Sequence, residues 1–247
     1  MEQSQELDFY LSLKGEFNEA FDNITFERYP AIVKFSFPGL RLVNQNFSML
    51  LNSDVNTEEA IKWVKSDPSR KLLVSKEISM GEMVPSSNCT LGVRSKMKIN
   101  FPILDFGQIQ SYSYRTNQRV EAIRSIIPTI SEMIDTSPEY EKLLNQLIGG
   151  VLHLNNGKIW TYEIDDGNII AAAIEETHDD FEKMRSIELI TVRPNFRNKG
   201  YASQLIQAIL SENWKHTFVC LYENTDIFSH LEEKFHFKPI VKFGVYQ

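Results

Sequence analysis

Arg197, Asn198, Lys199 and Gly200 gather two cations, an amide and a glycine in one turn immediately before an amphipathic run. That composition suits a diphosphate. N–H groups at a helix start lack intrahelical partners, and the aligned peptide dipoles add about half a positive charge there. The cationic side chains reinforce this field, and a glycine lets a ligand come close to the backbone. Two other phosphate loops are excluded. A Walker loop needs two glycines separated by four residues and followed by Lys and Ser/Thr, and a dinucleotide fingerprint needs three glycines. The segment has neither.

The turn is positioned by flanking elements that the pattern makes plain. Ile187, Leu189, Ile190 and Val192 form a short apolar strand, and Pro194, which has no N–H to donate, ends it. Ala202, Leu205, Ile206, Ile209 and Leu210 fall on one stripe of a helix of about three turns that starts close to Gly200. Thr217 to Tyr222 reads as a second buried strand, followed by Asn224 and a helical pattern marked by Ile227, Phe228, Leu231 and Phe235. Upstream, the runs 157–164 and 168–174 flank Asp165-Asp-Gly-Asn168, a hairpin signal because Asp-Gly tolerates positive φ. Helices are expected over Val120–Ile134 and Pro138–Leu147, with a short strand at Ser111–Arg115 before them and a last strand at Ile240–Tyr246.

Val192-x-Pro194 followed by Arg197-x-x-Gly200-x-Ala202 resembles the acetyl-coenzyme A signature of the GNAT acetyltransferase superfamily. The resemblance implies an α/β (α+β) fold in which a mixed, mostly antiparallel sheet is flanked by helices, as the element order over 109–247 allows. It implies acetyl-coenzyme A as co-substrate, no metal, and direct acetyl transfer to a primary amine of a small molecule or peptide. Leu189, Ile190 and Val192 would then pair with the pantetheine arm, with an N–H near Ile190 or Val192 meeting the oxyanion. Arg197, Asn198, Lys199, Gly200, Tyr201, Ala202 and Ser203 would surround the diphosphate. Asn224 and Phe228 correspond to cofactor contacts beyond the second strand; an Asn at a strand end is otherwise a turn residue.

The chain departs from the family near its end, where Glu232-Glu-Lys-Phe-His-Phe237 stands in place of Tyr-Glu-Lys-x-Gly-Phe. Glu232 replaces the tyrosine that would protonate the departing thiolate, and His236 replaces a glycine. A water, a residue from elsewhere such as Tyr222, or no strong acid at all then serves the thiolate, which needs little help because thiols have a pKa near 8.5. A free ammonium is almost fully protonated at neutral pH, so a base is required, and Glu188, on the apolar strand, is the candidate. Its other reading is a carboxylate that points outward or pairs with Lys183 or Arg185.

Residues 1–108 carry no comparable motif but are α/β in pattern, with a helix at Leu7–Phe21, strands at Ala31–Phe37 and Gly39–Leu50, a helix at Thr57–Val64, and strands at Lys71–Val74 and Lys96–Asp105. Their element order resembles a degenerate copy of the domain in 109–247. A net charge of −7 disfavours a nucleic-acid partner, despite the basic turn. His153, His178, His216, His230 and His236 have no metal-ligand spacing, and Cys89 and Cys220 cannot build a disulfide framework. Cys89 reads as a loop residue and Cys220 as strand core. No apolar stretch approaches the roughly eighteen residues of a membrane span, and no secretory pattern opens the chain, so the expected location is cytoplasmic. The oligomeric state, the acceptor and the acyl length are left open. The alternative function is a non-catalytic acyl-coenzyme A binding or regulatory module, which the missing tyrosine would suit.

Overall fold

Residues 168–176 read Asn-Ile-Ile-Ala-Ala-Ala-Ile-Glu-Glu, and all but the first are buried. A strand with no alternation is covered on both faces, so it must be central to its sheet. In the computed structural model, which describes residues 4–38, 45–52, 57–80, 82–95, 108–113, 138–153, 157–164, 167–223 and 232–246, it is. The elements in chain order are α1 (Gln5–Ala20), β1 (Thr25–Arg28), β2 (Ile32–Ser36), β3 (Asn46–Leu50), α2 (Thr57–Lys65), β4 (Lys71–Ser75), β5 (Ser87–Arg94) and β6 (Ile109–Ser113). They continue with α3 (Pro138–His153), β7 (Lys158–Ile164), β8 (Asn168–Glu176), β9 (Met184–Val192), α4 (Tyr201–Glu212), β10 (Thr217–Glu223) and β11 (Lys238–Tyr246).

The chain forms two compact units, one of residues 1–94 with 219–247, the other of residues 95–218. In the second, β6, β7, β8 and β9 make an antiparallel sheet in that order. Gly167, at φ 85°, closes the β7–β8 hairpin with the left-handed conformation that the Asp-Gly signal required. Helices α3 and α4 pack on β7 and β8. Leu205, Ile206, Ile209 and Leu210 of α4 are buried, as are Tyr140, Leu144, Leu147 and Ile148 of α3. Helix α3 begins at Pro138, as expected, and runs past Leu147 to His153.

In the first unit β1, β2 and β3 are antiparallel, and β3 leads through α2 to a parallel β4. Strand β11 lies antiparallel to both β4 and β5. Leu50, Ala60, Val64, Leu72 and Val74 form the core between α2 and its strands. Lys14 of α1 is fully buried with its ammonium over the rings of Tyr10 and Phe35, at 5.1 and 5.6 Å. Cys89 corrects the sequence reading: it is a buried residue of β5, opposite Phe243 of β11. Cys220 is buried in β10. The helix expected at 120–134 and the strand at 96–105 lie outside the described residues, as do residues 39–44 of the strand expected at 39–50.

Candidate active site

β9 ends in an irregular turn whose backbone explains its residue types. Pro194–Phe196 form a single 3-10 turn, closed by the Phe196 N–H on the Arg193 carbonyl at 2.9 Å. Asn198 follows at φ 61° and Gly200 at φ 88°, ψ 0°, both left-handed. Glycine occupies that region freely, and asparagine is among the few other residues that visit it. Gly200 is the N-cap of α4, where no side-chain cap supplies an acceptor to the first amides. Left-handed residues next to an uncapped helix start turn backbone N–H groups outward, which is the physics of an anion-binding concavity.

The side chains around it share the work of building the turn and lining it. The Arg197 Nε donates to the Val192 carbonyl at 3.2 Å, bracing the turn against the end of β9. The Lys199 ammonium lies 5.3 Å from the centre of the Phe196 ring. Tyr201 stacks edge-on against Tyr162 at 4.8 Å and Phe196 at 6.2 Å, fixing the first turn of α4 to β7. Arg197, Asn198, Lys199 and Gly200 are exposed, and Tyr201, Ala202 and Ser203 half-buried. Leu189, Ile190 and Val192 are likewise half-buried, whereas their partners Ile174, Ala173 and Ala171 on β8 are fully covered. Apolar surface therefore remains along the end of β9 that runs into the turn.

Glu188 is 7% exposed and accepts a hydrogen bond from the Ser186 hydroxyl. Its burial removes the outward reading, and Arg185, one of the two pairing partners considered for it, is bound to Glu175 instead. Its strand position is irregular. Leu189 stands opposite Ile174 and Ile187 opposite Glu175, so Glu188 is the extra residue of a β-bulge. Bulges re-aim a side chain and are frequent beside active sites.

Nothing in the sequence pattern announced the group behind that bulge. Glu175 is fully buried, and its carboxylate accepts from Arg185 at 2.6 Å, from Trp160 Nε1 at 2.8 Å and from Asn213 Nδ2 at 3.5 Å. Burial pushes its pKa up, opposed by the Arg185 charge and the Trp160 bond. Burial, with Arg185 second, pulls the neighbouring His216 imidazole down.

Tyr222 belongs to the first unit, where its hydroxyl donates to Glu232 at 2.9 Å. Burial first, and then the Glu232 bond and charge, push the phenol well above its ordinary value. Its ring lies against Gly92 of β5, where a Cβ would meet the ring edge at 2.9 Å. An isolated glycine inside an apolar strand is the sequence sign of such a close approach. Residues 232–235 are helical, and the buried Arg94 Nε donates to the Phe235 carbonyl at 3.0 Å at their end. His236 then takes φ 59°, a left-handed conformation that glycine adopts freely. Asn224 and Phe228 lie outside the described residues.

Residues 120–224 match the model of the Acetyltransferase (GNAT) family. Over that segment the chain is similar to GNAT acetyltransferases. Solved structures extend the likeness in fold beyond that segment. A tandem GNAT protein from the clavulanic acid biosynthesis pathway, 9% identical, superposes over 94% of this chain and 86% of its own with a TM-score of 0.59. A GCN5-related N-acetyltransferase from Sphaerobacter thermophilus, 10% identical, covers 89% and 80% with a TM-score of 0.58. A functionally unknown conserved protein from Staphylococcus epidermidis, 12% identical, covers 93% and 96% at 0.57. No curated protein matches the sequence. The GNAT match spans β7, β8, β9, the left-handed turn and α4, which are the elements that build the site. Among the described residues no cluster of His, Cys, Asp or Glu is placed to hold a metal, and no helix is long and apolar enough to cross a membrane.

Proposed function

We propose that this protein is an N-acetyltransferase that moves an acetyl group from acetyl-coenzyme A directly to a primary amine of a small molecule or peptide in the cytoplasm. The observation that carries the reading is the turn from β9 into α4, where two left-handed residues and an uncapped helix start expose backbone amides among Arg197 and Lys199. These groups fit the cofactor's diphosphate, and the half-buried Leu189, Ile190 and Val192 fit its pantetheine arm. The bound cofactor supplies the activated acyl carbonyl.

The chain's own residues then have distinct tasks. Glu188 takes the proton from the attacking amine, and its bulged position aims the carboxylate away from the regular ladder. Tyr222 holds its proton too firmly to be a strong acid, and a thiol leaves readily with little help. Residues 109–247 make up the acetyltransferase segment, and residues 1–108 a degenerate copy that binds no cofactor.

The test follows free thiol release from acetyl-coenzyme A across a panel of amines. At least one amine accelerates release by the wild type. Glu188→Gln lowers that rate by about a hundredfold or more at neutral pH. Cofactor binding with no release across the whole panel would favour an acyl-coenzyme A binding module, the reading to which the Tyr222–Glu232 pair lends support. Comparing acetyl- with longer acyl-thioesters fixes the acyl length.

A further inference from the structure

Strands β8 and β9 pair through Ala-Ala-Ala-Ile against Leu-Ile-Thr-Val, and small apolar residues say little about which register is right. A slip of one residue that closed the bulge would set Glu188 directly opposite Glu175. Residues directly opposite share a face, so the Glu188 carboxylate would lie beside that of Glu175 where Trp160 and Asn213 meet it, and two carboxylates would share one buried place.

We infer that the buried Glu175–Arg185 ion pair pins the register of β9 on β8 beside the bulge and so positions Glu188. The pair sits at the right place for that task. Glu175 is the first β8 residue beyond the bulge, and Arg185 lies three residues before Glu188 on β9. Trp160 of β7 and Asn213, the C-cap of α4, hold the same carboxylate from two further elements. The side chain of Asn213 also donates to the Ile209 carbonyl at 3.1 Å, so the anchor is itself tied to the last turn of α4. An apolar pair of similar volume would stabilise the sheet about as well as a buried ion pair does, but it would match any neighbouring position. The charged pair matches only one. Glu175 and Arg185 are positioning residues, since they act through the strand and not on the substrate.

The inference rests on the proposed role of Glu188, and the experiment separates the two. The double variant Glu175→Met/Arg185→Met replaces the pair by apolar side chains and keeps the sheet buried; Glu175→Gln is the milder second variant, retaining the Trp160 acceptor. In both, coenzyme A affinity measured by calorimetry stays within about threefold of wild type, because the left-handed turn is untouched. Amine-dependent kcat falls at least about tenfold while KM for the cofactor changes little. Crystal structures of both variants, or backbone NMR of β9, show the bulge closed or two registers in exchange. A double variant that retains a single register with Glu188 in its bulged place overturns the inference, whatever its activity. So does a parallel loss of cofactor affinity and stability with the bulge intact, which is the behaviour of an ordinary core pair. If Glu188→Gln is fully active, the proposed base is wrong, and the register readout still decides the role of the ion pair.

Discussion

Replacing Gly200 tests the anion site with its own control. An ideal Cβ at Gly200 has no neighbour closer than Gln204 Nε2 at 4.0 Å, so a side chain is resisted by the φ of 88° and not by crowding. That left-handed strain is about 1 kcal/mol for an ordinary residue and smaller for Asn or Asp. Asn198, at φ 61° two residues earlier, shows that this turn accepts asparagine in that conformation. Gly200→Asn and Gly200→Asp therefore cost nearly the same stability and differ by one negative charge. A phosphoryl group on the order of 6 Å from that charge, at an effective dielectric between about 20 and 80, is repelled by about 0.7 to 2.8 kcal/mol. Isothermal calorimetry with coenzyme A should thus find the Asp variant weaker than the Asn variant by about 3- to 100-fold, with the gap narrowing as salt is raised. Equal affinities for the two variants at low salt would refute the diphosphate assignment, because no other part of the reasoning distinguishes Asp from Asn here.

His236→Gly relieves about 1–2 kcal/mol of left-handed strain and loses about 0.4–1 kcal/mol to the looser unfolded chain. A net gain of about 0.5–1 kcal/mol raises the thermal midpoint by roughly one to four degrees in calorimetry, and an unchanged or lower midpoint contradicts the strain. Calorimetric titration with coenzyme A should reveal a single site per chain; a second site of comparable affinity would show that the N-terminal half is not degenerate. The His216 imidazole is depressed by burial and then by Arg185, so the folded state favours its neutral form. As pH falls through about 6.5 the unfolded chain takes up that proton first, and stability drops. His216→Gln should consequently lose less stability than wild type between about pH 7.5 and 5.5, and identical slopes in denaturant titrations would dismiss the effect.

What could be read from the sequence was what local chain chemistry decides. The Asp-Gly hairpin, the stop at Pro194, the helix start after Gly200 and the apolar stripe of α4 each depend on residues within a turn or two of one another. His236, where the resemblance would place a glycine, was equally plain, and the backbone adopts the glycine-like φ regardless. The end of β8 was misjudged for the opposite reason. Glu175 and Glu176 follow Ile174 and look like solvated loop, yet both are fully buried, and the groups that make this tolerable for Glu175 lie on β7, β9 and the end of α4. Cys89 follows Ser-Ser-Asn and looks like loop for the same reason, whereas pairing with β11 more than 150 positions away in the chain makes it strand core. The bulge at Glu188 is a property of two strands, and no single strand's pattern contains it.

The N-terminal half contains a strand–helix–strand unit that can be compared with the one proposed to hold the cofactor. The path from β3 through α2 to a parallel β4 has the same order as β9, α4 and β10, so topology alone would license a site there too. Two features argue against it. Phe47 to Leu50 pair with Lys71 to Val74 without interruption, and strands zipped in this way leave no backbone groups for a pantetheine arm. The first turn of α2 carries Glu58 and Glu59, which stabilise the helix by neutralising its dipole and in doing so cancel the field that would attract a phosphate. Before α4 stand Arg197 and Lys199, and no acidic residue occupies its first turn. The two helix starts thus differ in the sign of the charge the chain places beside them, and only the one before α4 would attract a phosphate.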